Sequence, residues 1–228
     1  MAGLPSLEGA AINLSALRQQ ARSELLSLLP NDGQNVALVL DPALSGPLGL
    51  VAEVKEFREH GVDKIYHLLP EPLVTDCQTI VYFVRPQVRL MPQVAAQIRE
   101  LKRRPREAPA QRNISIFFVP RRSLVCERVL QEEGVHQVPV HEFCMQLIAL
   151  DDDVLSLEQP CFRELYYEGD RSALHLIASA IIRLDSVFGV IPQLRGKGRC
   201  AQQVERRSSK RRVPAHAAMV RCLRSCTS

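Results

Sequence analysis

The residues of this chain that invite a chemical reading fall into a few short clusters. Gly196-Lys197-Gly198 suggests a phosphate loop, which needs GxxxxGK followed by Ser or Thr so that backbone N–H groups and a hydroxyl can meet phosphate and Mg²⁺. Here no glycine stands at the first position, and Lys197 is followed by Gly198 and Arg199. Asp151, Asp152 and Asp153 suggest a cation site. Adjacent carboxylates on an extended chain point to opposite faces, however, and no later Gly and Glu complete a calcium loop. They read as a solvated linker. Cys222 and Cys226 with His216 do not complete a zinc set. The six histidines never fall at HExxH spacing, and no GxSxG elbow is present. No catalytic residue, metal site or cofactor is predicted. What stands out is Arg85, Arg121 and Arg122, each directly after an apolar run. At the carboxyl ends of sheet strands such cations line the crevice where ligands usually bind. They are the candidate contacts for an acidic or phosphate-bearing partner, or else a solvated rim whose stems cover apolar edges.

Those arginines are positioned by apolar runs at residues 36–40, 79–84, 114–119 and, more weakly, 135–140, each five or six residues long. Runs of that length rich in Val, Ile, Leu and Phe suit strands buried on both faces. Residues 63–69 form a fifth, mixed candidate. Helical periodicity fills the gaps. One helix starts at Asn13, reaches about Leu29 and is stopped by Pro30-Asn31-Asp32-Gly33. A second opens at the Gly46-Pro47 turn and runs to His60, with Gly61 as its C′ residue. Others span 88–102, Ser123 to Gly134, 161–167 and 172–188. Strand and helix in alternation predict an α/β layered domain. The strand-end crevice would also serve a small ligand or nucleotide. The first strand–helix turn, Asp41-Pro42-Ala43-Leu44-Ser45-Gly46, however, lacks the glycines that admit a pyrophosphate. The pattern changes near Leu150, placing a boundary within 147–153 and dividing the chain into 1–150, 151–204 and 205–228.

The net charge of +4 hides a split. Residues 195–228 hold ten Lys or Arg and one acid, Glu205, for a charge of +9, which leaves −5 on the rest. Residues 205–228 lack apolar periodicity, cannot offset their ordering entropy, and are expected to be disordered. Arg206 to Arg212 would suit nucleic acid or a nuclear address, and a shifted reading frame would give the same jump. Seven scattered cysteines without a CxxC pair suggest a reduced, intracellular protein. No signal peptide or membrane-length apolar run is evident; the best stretch, 173–182, is interrupted by His175 and Ser179.

Five motifs occur in order: Phe83-Val84-Arg85-Pro86, Phe118-Val119-Pro120-Arg121-Arg122-Ser123, Leu155-Ser156-Leu157-Glu158, Tyr167-Glu168-Gly169-Asp170, and Ile191-Pro192-Gln193 with Gly196-Lys197-Gly198. Together they resemble the N-terminal part of the SM (Sec/Munc) vesicle-fusion family, nearest to its class C vacuolar sorting branch. The resemblance covers about Leu14 to Val204. It implies a five-stranded parallel sheet with helices on both faces, followed by the start of a second, incomplete α/β domain. It also implies a function without catalysis, cofactor or nucleic acid: binding syntaxin-like SNARE proteins in vesicle docking and fusion. The class C branch further implies the subunits of the HOPS and CORVET tethering complexes as partners. The location implied is cytoplasmic, peripheral on late endosomes and lysosomes through those partners. Family members are much longer and would continue after Val204 with an amphipathic helix, so the chain is expected to be an N-terminal fragment or truncated isoform.

Overall fold

Val36–Leu40 and Thr79–Val84 are buried at every residue, a condition met only at the centre of a sheet covered on both faces. The computed structural model of the protein describes residues 13–30, 35–103, 112–145, 147–151, 154–158, 161–189, 191 and 193–209. The chain divides into two compact units, Ser15–Leu150 and a second built on residues from Asp151 onward.

The first unit carries five parallel strands: β1 (Val36–Leu40), β2 (Val62–His67), β3 (Thr79–Val84), β4 (Asn113–Phe118) and β5 (Val140–Glu142). They lie in the order β2-β1-β3-β4-β5, a doubly wound arrangement whose direction reverses between β1 and β3. In-register pairs such as Leu40 with Phe83 and Val84 with Phe118 bring the strand ends level. Alternate side chains then point to opposite faces. Leu38, Leu40, Val81, Phe83 and Phe117 meet α1 (Leu14–Ser27), α2 (Pro42–Val51) and α3 (Val54–Glu59) on one side. Val39, Ile80, Tyr82, Ile116 and Phe118 meet α4 (Met91–Arg103) and α5 (Leu124–Glu132) on the other. This is the five-stranded parallel sheet with helices on both faces that the family resemblance implied. The β2–β3 connection has no helix; the Gln97 amide on α4 pins it by donating to the Leu69 carbonyl at 2.7 Å and the Glu71 carbonyl at 2.9 Å.

Several element boundaries differ from the sequence expectation. The helix expected from Gly46-Pro47 starts at Pro42, because Asp41 accepts from the Ala43 N–H at 3.1 Å and Pro42 fits the first helical position. It also splits in two. Ala52 is extended, and Glu56 reaches back to the Glu53 N–H at 2.8 Å to start α3 afresh. β5 begins at Val140 rather than Val135, since Pro139 has no N–H to donate and contributes only its carbonyl, to Ile116 N at 3.0 Å. β6 (Ile148–Ala149) closes the first unit; both residues are buried, and Ile148 joins Phe143 and Met145 in the core.

The second unit contains β7 (Leu155–Ser156), α6 (Cys161–Tyr166), α7 (Ser172–Phe188) and α8 (Gly198–Ser209). The last of these corrects the expected disorder from residue 205, as far as Ser209. Val204 packs with Leu174 and Ala178, flanked by Leu165, Ile177, Ile181 and Cys200, while Arg206 and Arg207 face solvent. The stripe is built largely of small residues (Cys200, Ala201, Val204, Ser208), so its apolar signal is faint beside the surrounding charge. Gly196 is required by packing: a Cβ there would stand 2.8 Å from the Ala201 Cβ. Gly198, at φ +88°, opens the helix. The glycines of the supposed phosphate loop therefore shape a turn. Asn31 to Gly33, Asp152, Asp153, Cys222, Cys226, His216 and the expected tail from residue 210 lie outside the described residues.

Candidate functional site

The carboxyl ends of β1 and β3, where the winding reverses, form the position at which this architecture usually holds a ligand. Here that position is filled from within. Asp41 ends β1 with its side chain only 2% exposed, and Arg85 ends β3. The Arg85 guanidinium donates from Nε to Asp41 Oδ2 at 2.6 Å and from Nη2 to Oδ1 at 3.2 Å, and the Arg85 N–H adds a longer bond at 3.4 Å. This is the paired-fork geometry that makes arginine–carboxylate pairs strong and directional. The same carboxylate caps α2 through Ala43. With its guanidinium spent on Asp41, Arg85 is not free to meet a phosphate, so the geometry disfavours the nucleotide reading.

Arg121 and Arg122 follow β4 and precede α5, which Ser123 caps by accepting from the Cys126 N–H at 3.4 Å. Arg122 is half exposed and held: Nε donates to Glu127 Oε1 at 2.5 Å and Nη2 to Oε2 at 2.7 Å, while its backbone N–H donates to Glu142 at 3.1 Å. The hydrogen bond and charge of Glu127, with a smaller contribution from Glu142, push the Arg122 guanidinium above its ordinary pKa. Arg121 has no hydrogen-bond or ion-pair partner among the described residues and is exposed. Beside it on the first turn of α5, Leu124 is 79% exposed and Val125 62% exposed.

The three arginines thus have three fates. Arg85 braces the core edge, Arg122 is oriented by two acids, and Arg121 stands free at the edge of an apolar step. Sequence reasoning missed Asp41, Glu127 and Glu142. Asp41-Pro42 had read only as the end of a strand, and the sole signal for Glu127 was an acid in the first turn of a helix that follows two arginines. Among the described residues no group of three His, Cys, Asp or Glu is placed to hold a metal, and no helix is long and apolar enough to cross a membrane. What this rim offers is an unpaired cation, Arg121, beside two exposed aliphatic side chains, Leu124 and Val125.

A doubly wound parallel sheet with its switch point sealed, followed by a second unit, matches one family over most of the chain. The Sec1 family profile covers residues 36–215, and the chain belongs to that family. The match runs past Val204, where the resemblance was expected to end. The chain is similar to a vacuolar protein-sorting-associated protein 33 homolog of Arabidopsis thaliana, at 38% identity over 90% of this chain and 34% of that protein. It is also similar to vacuolar protein sorting-associated protein 33A of Rattus norvegicus, at 39% identity over 85% of this chain and 32% of that protein. It therefore spans about a third of the length of these curated relatives. Among solved structures, the SM protein Vps45 in complex with the Qa SNARE Tlg2 shares the fold. Its TM-score is 0.62 at 15% identity, covering 87% of this chain and 35% of that one.

Proposed function

We propose that this chain is a SNARE-binding module of vesicle docking and fusion, acting through protein surfaces and making or breaking no covalent bond. The observation that carries the reading is family membership over residues 36–215. The names of its relatives add vacuolar protein sorting, and a fold neighbour was solved with a Qa SNARE bound. On this reading the partners are syntaxin-like SNAREs and, through the class C branch, subunits of the HOPS and CORVET tethering complexes. The chain works at late endosomes and lysosomes, held to the membrane by those partners. Residues 1–150 form the first SM-type domain, residues 151–204 begin the second, and residues 205–228 form a basic extension.

Of the candidate contacts, Arg121 is the one whose charge is available, and Arg122 presents its remaining edge in a fixed direction. Arg85 shapes the rim by holding Asp41. The test is saturable binding of the cytoplasmic region of a purified Qa SNARE to the immobilised full chain, measured by interferometry. Arg121→Glu is expected to weaken binding about tenfold, mainly by slowing association, because a rim charge acts most on encounter. No binding by this chain, where a full-length relative binds under the same conditions, would place the activity elsewhere in the longer proteins and overturn the proposal.

A further inference from the structure

Helix α7 is apolar over residues 173–182 except for His175 and Ser179, and those two positions have no part in the reading above. With Arg171, which precedes the helix, they fall at i, i+4 and i+8 and so stand on one face. That face borders a cleft of about 630 Å³ in the second unit, and Arg207 of α8 lies across it. Ala178 and Ile182 complete the lining with Asp170 and Ser172. Arg171 and Arg207 are both exposed, and neither has an ion-pair or hydrogen-bond partner for its guanidinium among the described residues. The acid in the cleft, Asp170, already accepts at Oδ1 from the Ser172 N–H at 2.8 Å and from the Ser172 hydroxyl. Two unpaired cations, one just before α7 and one on α8, therefore line the same cleft as an engaged carboxylate, an imidazole and a hydroxyl.

We propose that this cleft binds a phosphate ester. Two guanidinium forks match phosphate oxygens in paired hydrogen bonds. His175 and Ser179 add donors, and the positive end of the α7 dipole adds field. The volume suits a phosphorylated small molecule or headgroup rather than inorganic phosphate alone. The inference does not depend on SNARE binding.

The probe is soluble inositol trisphosphate, titrated calorimetrically into the full chain. Saturable binding is expected, weakened about tenfold by Arg171→Gln or Arg207→Gln and about a hundredfold by the pair, as expected for losing charge-assisted hydrogen bonds. Both residues are exposed, so the variants should keep the parent melting temperature. Lys210, Arg211 and Arg212 follow α8 in sequence, and converting all three to Gln should leave binding within about threefold, since diffuse charge contributes little at physiological salt. Flotation with phosphatidylcholine vesicles carrying a phosphoinositide, against phosphatidylserine vesicles of equal charge, separates the two sources. Preference for the phosphoinositide assigns a lipid headgroup, and binding of the soluble ester alone assigns a free metabolite; either supports the cleft. Absence of saturable binding would overturn the proposal. So would binding that survives Arg171→Gln with Arg207→Gln but is lost with the 210–212 substitutions.

Discussion

The two units of this chain solve the same burial problem with different means. In the first, a parallel sheet is sandwiched between helices, and its central strands are dry at every residue. Phe83 stacks on Phe117 at 5.1 Å and meets Phe143 edge-on at 6.3 Å, and two of the three strand-end arginines, Arg85 and Arg122, are tied to acids. In the second, among the described residues, α6 to α8 meet at a small cluster around Leu174, Ala178 and Val204. Phe162, Tyr166 and Tyr167 on and after α6 remain 66%, 69% and 81% exposed while touching one another. A two-faced sheet surrounds each strand residue with neighbours, whereas a pair of helices covers only one stripe of each. The first unit thus gains order from packing, and the second leaves its α6 aromatic side chains open to solvent.

Core truncation should separate the units most sharply. Phe83→Ala is expected to destabilise the first unit by about 4 kcal/mol, within the range for a wholly buried aromatic ring, and Leu174→Ala the second by about 2 kcal/mol, since its smaller cluster can collapse around the gap. Urea unfolding followed by far-UV circular dichroism measures both, and equal losses would remove the contrast. Next in size is Asp41→Asn, expected to cost about 3 kcal/mol in the same assay because it leaves the largely buried Arg85 charge uncompensated. Asn still caps a helix well, so the loss reports the ion pair rather than α2. The smallest effect should come from Arg122→Gln. Arg122 is half exposed, and a double-mutant cycle with Glu127→Gln should return little coupling, because solvent screens the pair. A value near that of the Asp41–Arg85 pair would show that exposure does not grade these two contacts.

Much of the sheet was legible in the chain. Val36–Leu40 and Thr79–Val84 stand where the apolar runs placed them, and Ser123 caps α5 as its position suggested. Gly61, at φ +84°, follows α3 in the left-handed conformation expected of a C′ residue. The failures have local causes. Pro47 looked like a helix opener yet lies inside α2, because burial of Leu44, Leu48 and Val51 outweighs the lost hydrogen bond. α8 was hidden because its buried side is made of small residues amid arginines. At the strand ends the sequence marked the cations but not their acids, since Asp41 and Arg85 are 44 residues apart.

The sequence alone determined the alternation of strand and helix, because apolar period and turn chemistry are local and survive without tertiary context. Which arginine is spent inside, which is oriented and which is free was decided only by the fold. That outcome depends on strand order and register, which bring distant carboxylates within bonding distance of some guanidinium groups and leave others in water.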